Sequence, residues 1–300
     1  MLNFSQLKDK IIIISGPTAS GKSALAIDIA REVDGVIINS DAMQVYKELP
    51  ILTAQPDLSD QLHSPHRLYS IIEMDTHYSV AIWLDWVKRE ITSCKEKRRA
   101  PVIVGGSGLY IKSLVDGLAF IPGISESTRR KMAEMISSSD SVSLHKRLFA
   151  YDPDLARRLA PSDLKRITRG LAVYLETRIA LSKWQSDTKP YLPRDEFFII
   201  NVDIERESLY RNCNTRFVAM LKMGAVDEVE TLLNQKPGIK YPKILGLYEL
   251  INWLEGKTTK EEAIEKAQQF TRNYAKRQTT WFRNQMRYDF FLRKGGRYEQ

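Results

Sequence analysis

The stretch Ile11-Ile12-Ile13-Ile14-Ser15-Gly16-Pro17-Thr18-Ala19-Ser20-Gly21-Lys22-Ser23 decides the fold of this chain of 300 residues. Four consecutive isoleucines predict a strand that is buried on both faces, and residues 24–33 have the composition of a helix. Residues 16–23 lie between them and match the pattern GxxxxGK[ST] of a P-loop, in the strand–loop–helix context that this motif requires. The fold therefore begins with an anion-binding loop at the start of a helix.

The chemistry of this loop depends on backbone N–H groups that its glycines allow to converge on an anion. Lys22 adds a positive charge, and the hydroxyl of Ser23 is a candidate Mg²⁺ ligand. Taken alone the motif indicates a nucleoside triphosphate, but it does not specify whose phosphate is held. The predicted phosphate- or diphosphate-binding residues are Gly16, Pro17, Thr18, Ala19, Ser20, Gly21, Lys22 and Ser23.

Further apolar runs at residues 35–38, 101–104 and 197–202 alternate with helical sequence, which indicates a parallel sheet covered by helices. Ligands of such sheets lie at the carboxyl ends of the strands. Asp41 and Ser107 follow two of these runs and are expected there. Asp41 could act as a general base or a Mg²⁺ ligand, or it could cap the following helix. Ser107 could contact a ligand or only form a tight turn.

The chain is predicted to have an α/β fold of the P-loop NTPase type, a parallel sheet flanked by helices. Residues 122–193 break the alternation of strands and helices, and they predict an inserted all-helical lobe. The catalytic core then comprises residues 1–121 and 194–300, and the chain is expected to be helical from residue 202 to its end. Ser79 is the expected N-cap of a helix over residues 80–94.

The composition of the chain limits the kinds of binding partner and the class of protein to expect. A net charge of +8 and a pI near 9.3 favour an acidic partner such as RNA. Cys94 and Cys213 are too far apart in sequence to indicate a disulfide framework or a CxxC zinc site. The apolar run at residues 11–14 is too short for a signal peptide or a membrane span. We therefore expect a cytoplasmic protein that makes no contact with membranes.

A basic helix is predicted from residue 263 onward. On a helical wheel, Arg272, Lys276, Arg283 and Arg287 cluster on one face. A face of one charge sign favours binding to a phosphate backbone, although the charges could instead pair with acids elsewhere. Arg216 lies at the edge of another helix, either pointing into the site or extending along apolar surface. The opposite, apolar face of the basic helix is predicted to carry Ala263, Ala267, Phe270, Tyr274 and Trp281.

Together these motifs resemble those of one family, the tRNA dimethylallyltransferases (tRNA isopentenyltransferases). The similar blocks follow the family's order over most of the chain, and the last is highly specific. The blocks are residues 16–23 (GPTASGKS), 39–46 (NSDAMQVY), 105–110 (GGSGLY), 152–153 (DP), 165–169 (KRITR) and 271–283 (TRNYAKRQTTWFR).

The resemblance implies that the P-loop holds the diphosphate of dimethylallyl diphosphate with Mg²⁺. The dimethylallyl group would move to N6 of the adenine 3′ of the anticodon in the tRNA anticodon stem-loop. Asp41 then resembles the general base and Arg216 a diphosphate ligand, with Ser107 as a third catalytic residue. We expect a monomer. The tRNA-binding residues implied by the resemblance or by the basic helix are Asp41, Ala42, Met43, Gln44, Ser107, Arg129, Lys165, Arg166, Ile167, Thr168, Arg169, Arg272, Lys276, Arg277 and Arg283.

Four positions depart from the family pattern. Ser107 replaces a usual threonine and Lys165 a usual glutamine, while Leu247 and Gln55 stand where tyrosine and lysine are common. Two alternative functions remain at this point. One is a P-loop kinase of nucleosides or small metabolites with Arg129 and Arg169 as lid arginines, and the other is an RNA-binding module without catalysis.

Overall fold

The computed structural model describes residues 4–294. Within this range six strands form one parallel sheet with the order β3-β2-β4-β1-β5-β6. The predicted α/β class with a parallel sheet is confirmed. The strands are β1 Ile11–Ser15, β2 Gly35–Asn39, β3 His66–Arg67, β4 Ala100–Gly105, β5 Phe197–Ile204 and β6 Phe290–Lys294.

The central position of β1 explains its run of isoleucines. It lies between β4 and β5, so that Ile12 pairs with Val102 on one side and with Phe198 on the other. Every residue of β1 is buried. At the carboxyl edge Ser15 pairs with Gly105, which brings the P-loop next to the loop that follows β4. The polar residues after three strands therefore converge on one edge of the sheet.

Eight helices of the described chain surround or extend this sheet, and Ser79 caps one of them as predicted. The Ser79 hydroxyl accepts a hydrogen bond from Ile82 N at 3.4 Å. Residues 4–294 include no helix that is both long and apolar enough for a membrane span. The helices are α1 Lys22–Glu32, α2 Leu58–His63, α3 Val80–Glu96, α4 Gly108–Asp116, α10 Arg206–Lys222, α11 Ala225–Gln235, α12 Leu247–Leu254 and α13 Lys260–Gln285.

Residues 116–191 form a second unit, and all of its regular secondary structure is helical. The lobe expected from the sequence comprised residues 122–193. Leu144, Leu148 and Leu171 are completely buried in its apolar core. Asp152 fixes one corner, because its carboxylate accepts from Leu155 N and Ser182 N. The Asp-Pro motif is thus a helix cap. The unit contains α5 Glu126–Ser138, α6 Ser141–Tyr151, α7 Pro153–Arg158, α8 Leu164–Thr177 and α9 Leu181–Ser186.

The expectation that the chain stays helical after residue 202 is wrong at its far end. Strand β6 runs parallel to β5, and Ile200 pairs with Phe290. Phe290 and Leu292 alternate toward the apolar core beneath the sheet. A run of only five residues is too short for its period to stand out from a helical pattern in sequence. Pairing with β5 supplies the tertiary context that decides the outcome.

Candidate active site

The P-loop has the backbone geometry of an anion cradle. A side chain at Gly16 would place its Cβ 2.6 Å from Val202 O, so only glycine fits there. Ala19 and Gly21 adopt left-handed φ angles of 62° and 82°. Within the described range, no side chain caps the start of α1, and the buried hydroxyl of Ser20 has no hydrogen-bond partner. The N–H groups in the first turn of α1 and this hydroxyl are suited to a ligand with acceptor oxygens.

Two cations from separate elements face this cradle. Burial lowers the pKa of Lys22 to about 8, with Asp41 opposing the shift and Arg216 adding to it. Burial also lowers the pKa of Arg216, whose Nη2 donates to Thr18 Oγ1 at 2.5 Å. Neither cation forms a salt bridge within residues 4–294. Two partly desolvated cations without a salt-bridge partner favour an anionic ligand.

Asp41 is held by the buried Asn39 at the end of β2. Asn39 Oδ1 accepts from Asp41 N at 2.7 Å, and Asn39 Nδ2 donates to Asp41 O at 3.1 Å. The indole of Trp83 donates to Asn39 O. Asp41 Oδ1 accepts from Met43 N at 3.0 Å, which closes a local turn. The next helix begins only at Leu58, so the helix-cap alternative for Asp41 is wrong.

Ser107 ties the strand-end loops to each other. Its Oγ accepts from Ala42 N at 2.9 Å, and its own N–H donates to Ser40 O at 3.3 Å. The hydroxyl therefore supports the backbone next to Asp41. Ser107 immediately precedes α4. A role in a tight turn alone does not account for the hydrogen bond between Ala42 N and the Ser107 hydroxyl, which joins two loops.

Two adjoining cavities meet at the same four residues. The larger is a cleft of about 540 Å³ that includes Lys22, Ser23 and the carboxyl end of β4. The smaller is mostly apolar. Thr18, Asp41, Thr53 and Arg216 line both cavities. The apolar part of the smaller cavity consists of Met43, Leu52, Phe217, Met220, Ile244 and Leu245. A ligand with an anionic head and a short apolar tail matches this arrangement.

The cleft offers oxygen donors of the kind that Mg²⁺ binds. Ser23 is exposed and lines the cleft together with Asp41. Residues 4–294 contain no cluster of three His, Cys, Asp or Glu side chains that could hold a metal. Mg²⁺ needs no such cluster, because it is usually held by one or two protein oxygens together with phosphate oxygens and water.

Some basic residues of α13 have partners within the protein, and others are exposed. Arg272 donates to Asn214 Oδ1 at 2.7 Å, and Arg283 pairs with the buried Asp203 at 2.8 Å. The alternative that charges pair with acids is thus correct for Arg283. Arg287 lies beyond the end of α13. Lys276 and Arg277 are exposed along a groove of about 510 Å³, and they remain the strongest candidates on this helix for RNA contact.

The predicted apolar face of α13 is also corrected. Phe270 is 46% exposed, and Tyr274 and Trp281 are half-buried. The buried stripe instead includes two polar residues. The Thr271 hydroxyl donates to Ala267 O of the same helix, and the Gln278 amide bonds to two loops of the sheet edge. The members of the buried stripe are Ala263, Ala267, Thr271, Ala275, Gln278 and Phe282.

The side chains of Gln44 and Gln55 have hydrogen-bond partners within the protein. Gln44 Nε2 donates to Thr53 O and Ala54 O, which leaves its carbonyl as the group for outside contacts. Gln55, where lysine is common, donates to Tyr46 O and accepts from the hydroxyl of Ser70. Ala42 and Met43 are half-buried. Leu247, the other departure, is completely buried at the start of α12.

In the helical unit most predicted RNA contacts are at the surface. Arg129, Lys165, Arg166 and Arg169 are exposed. Ile167 is completely buried in the core of the unit, so its side chain has no surface to offer RNA. The hydroxyl of Thr168 donates back to Leu164 O and Lys165 O.

Sequence reasoning missed two buried amides, Asn39 and Gln278. Asn39 orients Asp41, as described above. Gln278 of α13 accepts from Thr18 N at 2.8 Å and donates to Gly106 O at 2.8 Å. The signal for Gln278 was available, because it is a polar residue within the stripe that also contains Ala275 and Phe282. A buried amide in an apolar stripe implies partners on the facing element.

Comparisons with known proteins agree with this geometry. The family model described as IPP transferase matches residues 44–285. A tRNA dimethylallyltransferase of Azorhizobium caulinodans is 42% identical over 93% of this chain and 91% of its own length. One from Wolbachia pipientis is 40% identical over 93% of this chain and 94% of its own length.

Solved structures give the same result at the level of fold. A tRNA delta(2)-isopentenylpyrophosphate transferase from Staphylococcus epidermidis is 33% identical with a TM-score of 0.67, covering 94% of this chain and 92% of its own. A eukaryotic dimethylallyltransferase acting on tRNA is 29% identical with a TM-score of 0.78. That alignment covers 91% of this chain and 69% of the eukaryotic chain.

Proposed function

Because this chain belongs to the IPP transferase family, we propose that it transfers the dimethylallyl group of dimethylallyl diphosphate to N6 of the adenine 3′ of the anticodon in tRNA. It is a prenyltransferase that modifies tRNA. The observation that carries the proposal is the pair of cavities sharing Asp41 and Arg216. One holds an anion and the other accepts a short apolar chain, so the reacting carbon lies at their junction.

The leaving group belongs in the P-loop cleft. The open N–H groups of α1, Lys22 and Arg216 would hold the diphosphate and stabilise the charge that builds on it during transfer. Ser23 would hold Mg²⁺, which would supply further neutralisation of the charge on the leaving group. An anion beside Lys22 offsets the desolvation that lowers its pKa. The dimethylallyl chain would lie against Met43, Leu52 and Phe217.

Asp41 would act as the general base. The lone pair of an exocyclic adenine amine is delocalised, so loss of an N6 proton must accompany attack. The N6–C1 bond forms as the C1–O bond breaks. The electron pair leaves with the diphosphate oxygen and the proton passes to Asp41. The adenine must leave its stack to reach this carboxylate, as is general for enzymes that act on bases.

The RNA would approach through exposed cations. Lys276 and Arg277 on α13 are proposed contacts to the phosphate backbone, with Arg129, Lys165, Arg166 and Arg169 as contacts from the helical unit. A single chain carries the complete P-loop and Asp41, so we propose that a monomer suffices. We place the reaction in the cytoplasm.

The test is incubation of the purified protein with Mg²⁺, dimethylallyl diphosphate and unmodified tRNA, followed by mass spectrometry of the nucleosides. The proposal predicts N6-dimethylallyladenosine at one position per tRNA. Consumption of ATP without tRNA, and without any prenylated nucleoside, would instead identify a kinase. Binding of tRNA without either reaction would identify an RNA-binding module.

A further inference from the structure

The side chain of Gln278 bridges two loops that approach the reacting groups from different strands. It reaches from α13 between the P-loop after β1 and the loop after β4. Thr18 N donates to Gln278 Oε1 at 2.8 Å, and Gln278 Nε2 donates to Gly106 O at 2.8 Å. These partners fix the orientation of the amide, because a backbone N–H requires the oxygen and a carbonyl requires the NH₂ group.

The bridge is buried and closely packed. Gln278 is only 6% exposed. A Cβ at Gly106 would lie 2.3 Å from Gln278 Nε2, and a Cβ at Gly108 would lie 2.2 Å from the ring of Trp281. Glycine at both positions lets α13 approach the loop after β4 this closely. Residues 105–110 (GGSGLY) and 277–281 (RQTTW) therefore pack against each other.

The same contact extends to Asp41. Burial raises the pKa of Tyr274 and the charge of Asp41 raises it further, while hydrogen bonding with the side chains of Gln278 and Ser107 partly opposes that shift. Ser107 in turn accepts from Ala42 N, next to Asp41. The P-loop and the loop that carries the base are thus joined through Gln278, Tyr274 and Ser107.

We infer that Gln278 is a positioning residue that sets the distance between the diphosphate cradle and the general base. The inference deepens the proposed function and rests on it. Thr18 also accepts from Arg216, so a shift of the Thr18 backbone would displace the arginine that faces the leaving group. Misplacement of reacting groups by about 1 Å can lower a rate by about 100-fold.

The amide is needed because it both donates and accepts. A carboxylate at this position could accept from Thr18 N. It has no hydrogen to donate to Gly106 O, so two acceptor oxygens would lie against each other there. A protonated carboxyl group would restore the donor. The titratable neighbour on the same helix is Tyr274, which stays protonated because burial raises its pKa. The P-loop and the loop after β4 contact the amide through backbone groups, and the cations Lys22 and Arg216 bond next to this contact, to Pro17 O and Thr18 Oγ1.

The decisive variant is Gln278→Glu, compared with wild type in kcat/KM for dimethylallyl diphosphate across pH. We expect a deficit of about 100-fold near pH 8.5 that shrinks to about 5-fold near pH 5.5, because a buried carboxyl group stays protonated well above its usual pKa. Gln278→Leu should show the same deficit at every pH. Using the ratio to wild type removes every pH effect that the two proteins share, including that of Lys22, whose pKa burial lowers to about 8.

The matched control is Gln268→Glu on the same helix. Gln268 is half-buried and also donates to a backbone carbonyl, that of Asn214, but among the described residues it forms no hydrogen bond to either loop. It should match wild type within about 2-fold at every pH. A Gln278→Glu variant with wild-type activity at high pH, or with the same deficit at both pH values, would overturn the inference.

A second measurement does not depend on prenyl transfer. Hydrogen exchange of the Thr18 amide near pH 8.5 should be faster in Gln278→Leu than in wild type or Gln268→Glu, at equal unfolding temperature. Unchanged exchange would contradict the bridge. If wild type itself made no prenylated adenosine, the proposed function would fail, and this measurement would still judge the role of Gln278.

Discussion

Arg216 Nη2 lies 2.5 Å from Thr18 Oγ1 and so joins α10 to the P-loop. The arginine is neither a free surface charge nor a member of a salt bridge within the described chain. Thr18 therefore orients a cation toward the cleft that holds Lys22, and α10 contributes to the anion site although it lies far from the P-loop in sequence. Of the two possibilities that the sequence left open, Arg216 points into the site and does not extend along apolar surface.

Replacing Arg216 with glutamine is expected to lower kcat by about 10²- to 10³-fold, the cost of removing one donor from a charge-stabilising site. The unfolding temperature and the affinity for tRNA should stay close to those of wild type. Arg211→Gln is the control, because Arg211 is exposed on the same helix and, within residues 4–294, bonds only to the Ser208 hydroxyl. Equal losses in both variants would contradict the assignment.

The variant Asp41→Asn separates chemistry from loop structure. Asparagine can still accept from Met43 N and retain the turn, but it cannot take a proton. Steady-state assays should show kcat lower by about 10²- to 10⁴-fold, with tRNA affinity unchanged. Asp41→Ala removes the turn as well and should also weaken tRNA binding. Near-normal turnover by Asp41→Asn would rule out the base role.

Ser107 should tolerate threonine but not alanine. The Thr variant keeps an Oγ that accepts from Ala42 N, whereas the Ala variant leaves this half-buried N–H without its partner. We expect Ser107→Ala to lose about 1 kcal/mol of unfolding free energy together with activity, measured by denaturant titration and by prenyl transfer. If Ser107→Ala matches Ser107→Thr in both, the hydroxyl has no such role.

Lys276 should contact RNA phosphates. Its replacement by alanine is expected to weaken tRNA binding and to reduce the slope of log K against log salt by about 0.7 to 0.9. The measurement is a binding titration at several salt concentrations. Lys266→Ala, an exposed lysine on the same helix, provides the comparison. An unchanged salt slope in Lys276→Ala would remove this residue from the interface.

Arg283 should affect stability more than RNA binding. Asp203 is buried at the end of β5, and Arg283→Ala would leave its carboxylate without this cation. Because Arg283 is itself largely exposed, we expect a loss of about 1–3 kcal/mol in unfolding free energy, with the salt slope unchanged. A lower salt slope at unchanged stability would reverse this assignment and restore Arg283 to the RNA-binding face.

The sequence predicts those features that depend on local pattern. Among these features are strand β1, the P-loop and the helix cap at Ser79. Each depends on residues that lie within a few positions of one another in the sequence. Asp41 and Ser107 could be placed together because parallel strands end at one edge of a sheet.

What the sequence could not predict depends on contacts between distant elements. The pairing of β6 with β5 and of Arg283 with Asp203 joins segments about 90 and 80 residues apart. The face of α13 was assigned from hydrophobicity, which gives no weight to a buried amide such as Gln278. Only its partners, Thr18 N and Gly106 O, explain why that position is inside.

The most direct test of the central claim is the stoichiometry of diphosphate release. With Mg²⁺, dimethylallyl diphosphate and unmodified tRNA, the protein should release one diphosphate for each N6-dimethylallyladenosine formed, and none when the tRNA is omitted. Asp41→Asn should slow both products equally. Diphosphate release without tRNA, or nucleotide hydrolysis with no prenylated adenosine, would contradict a P-loop that holds the leaving group of a prenyl transfer.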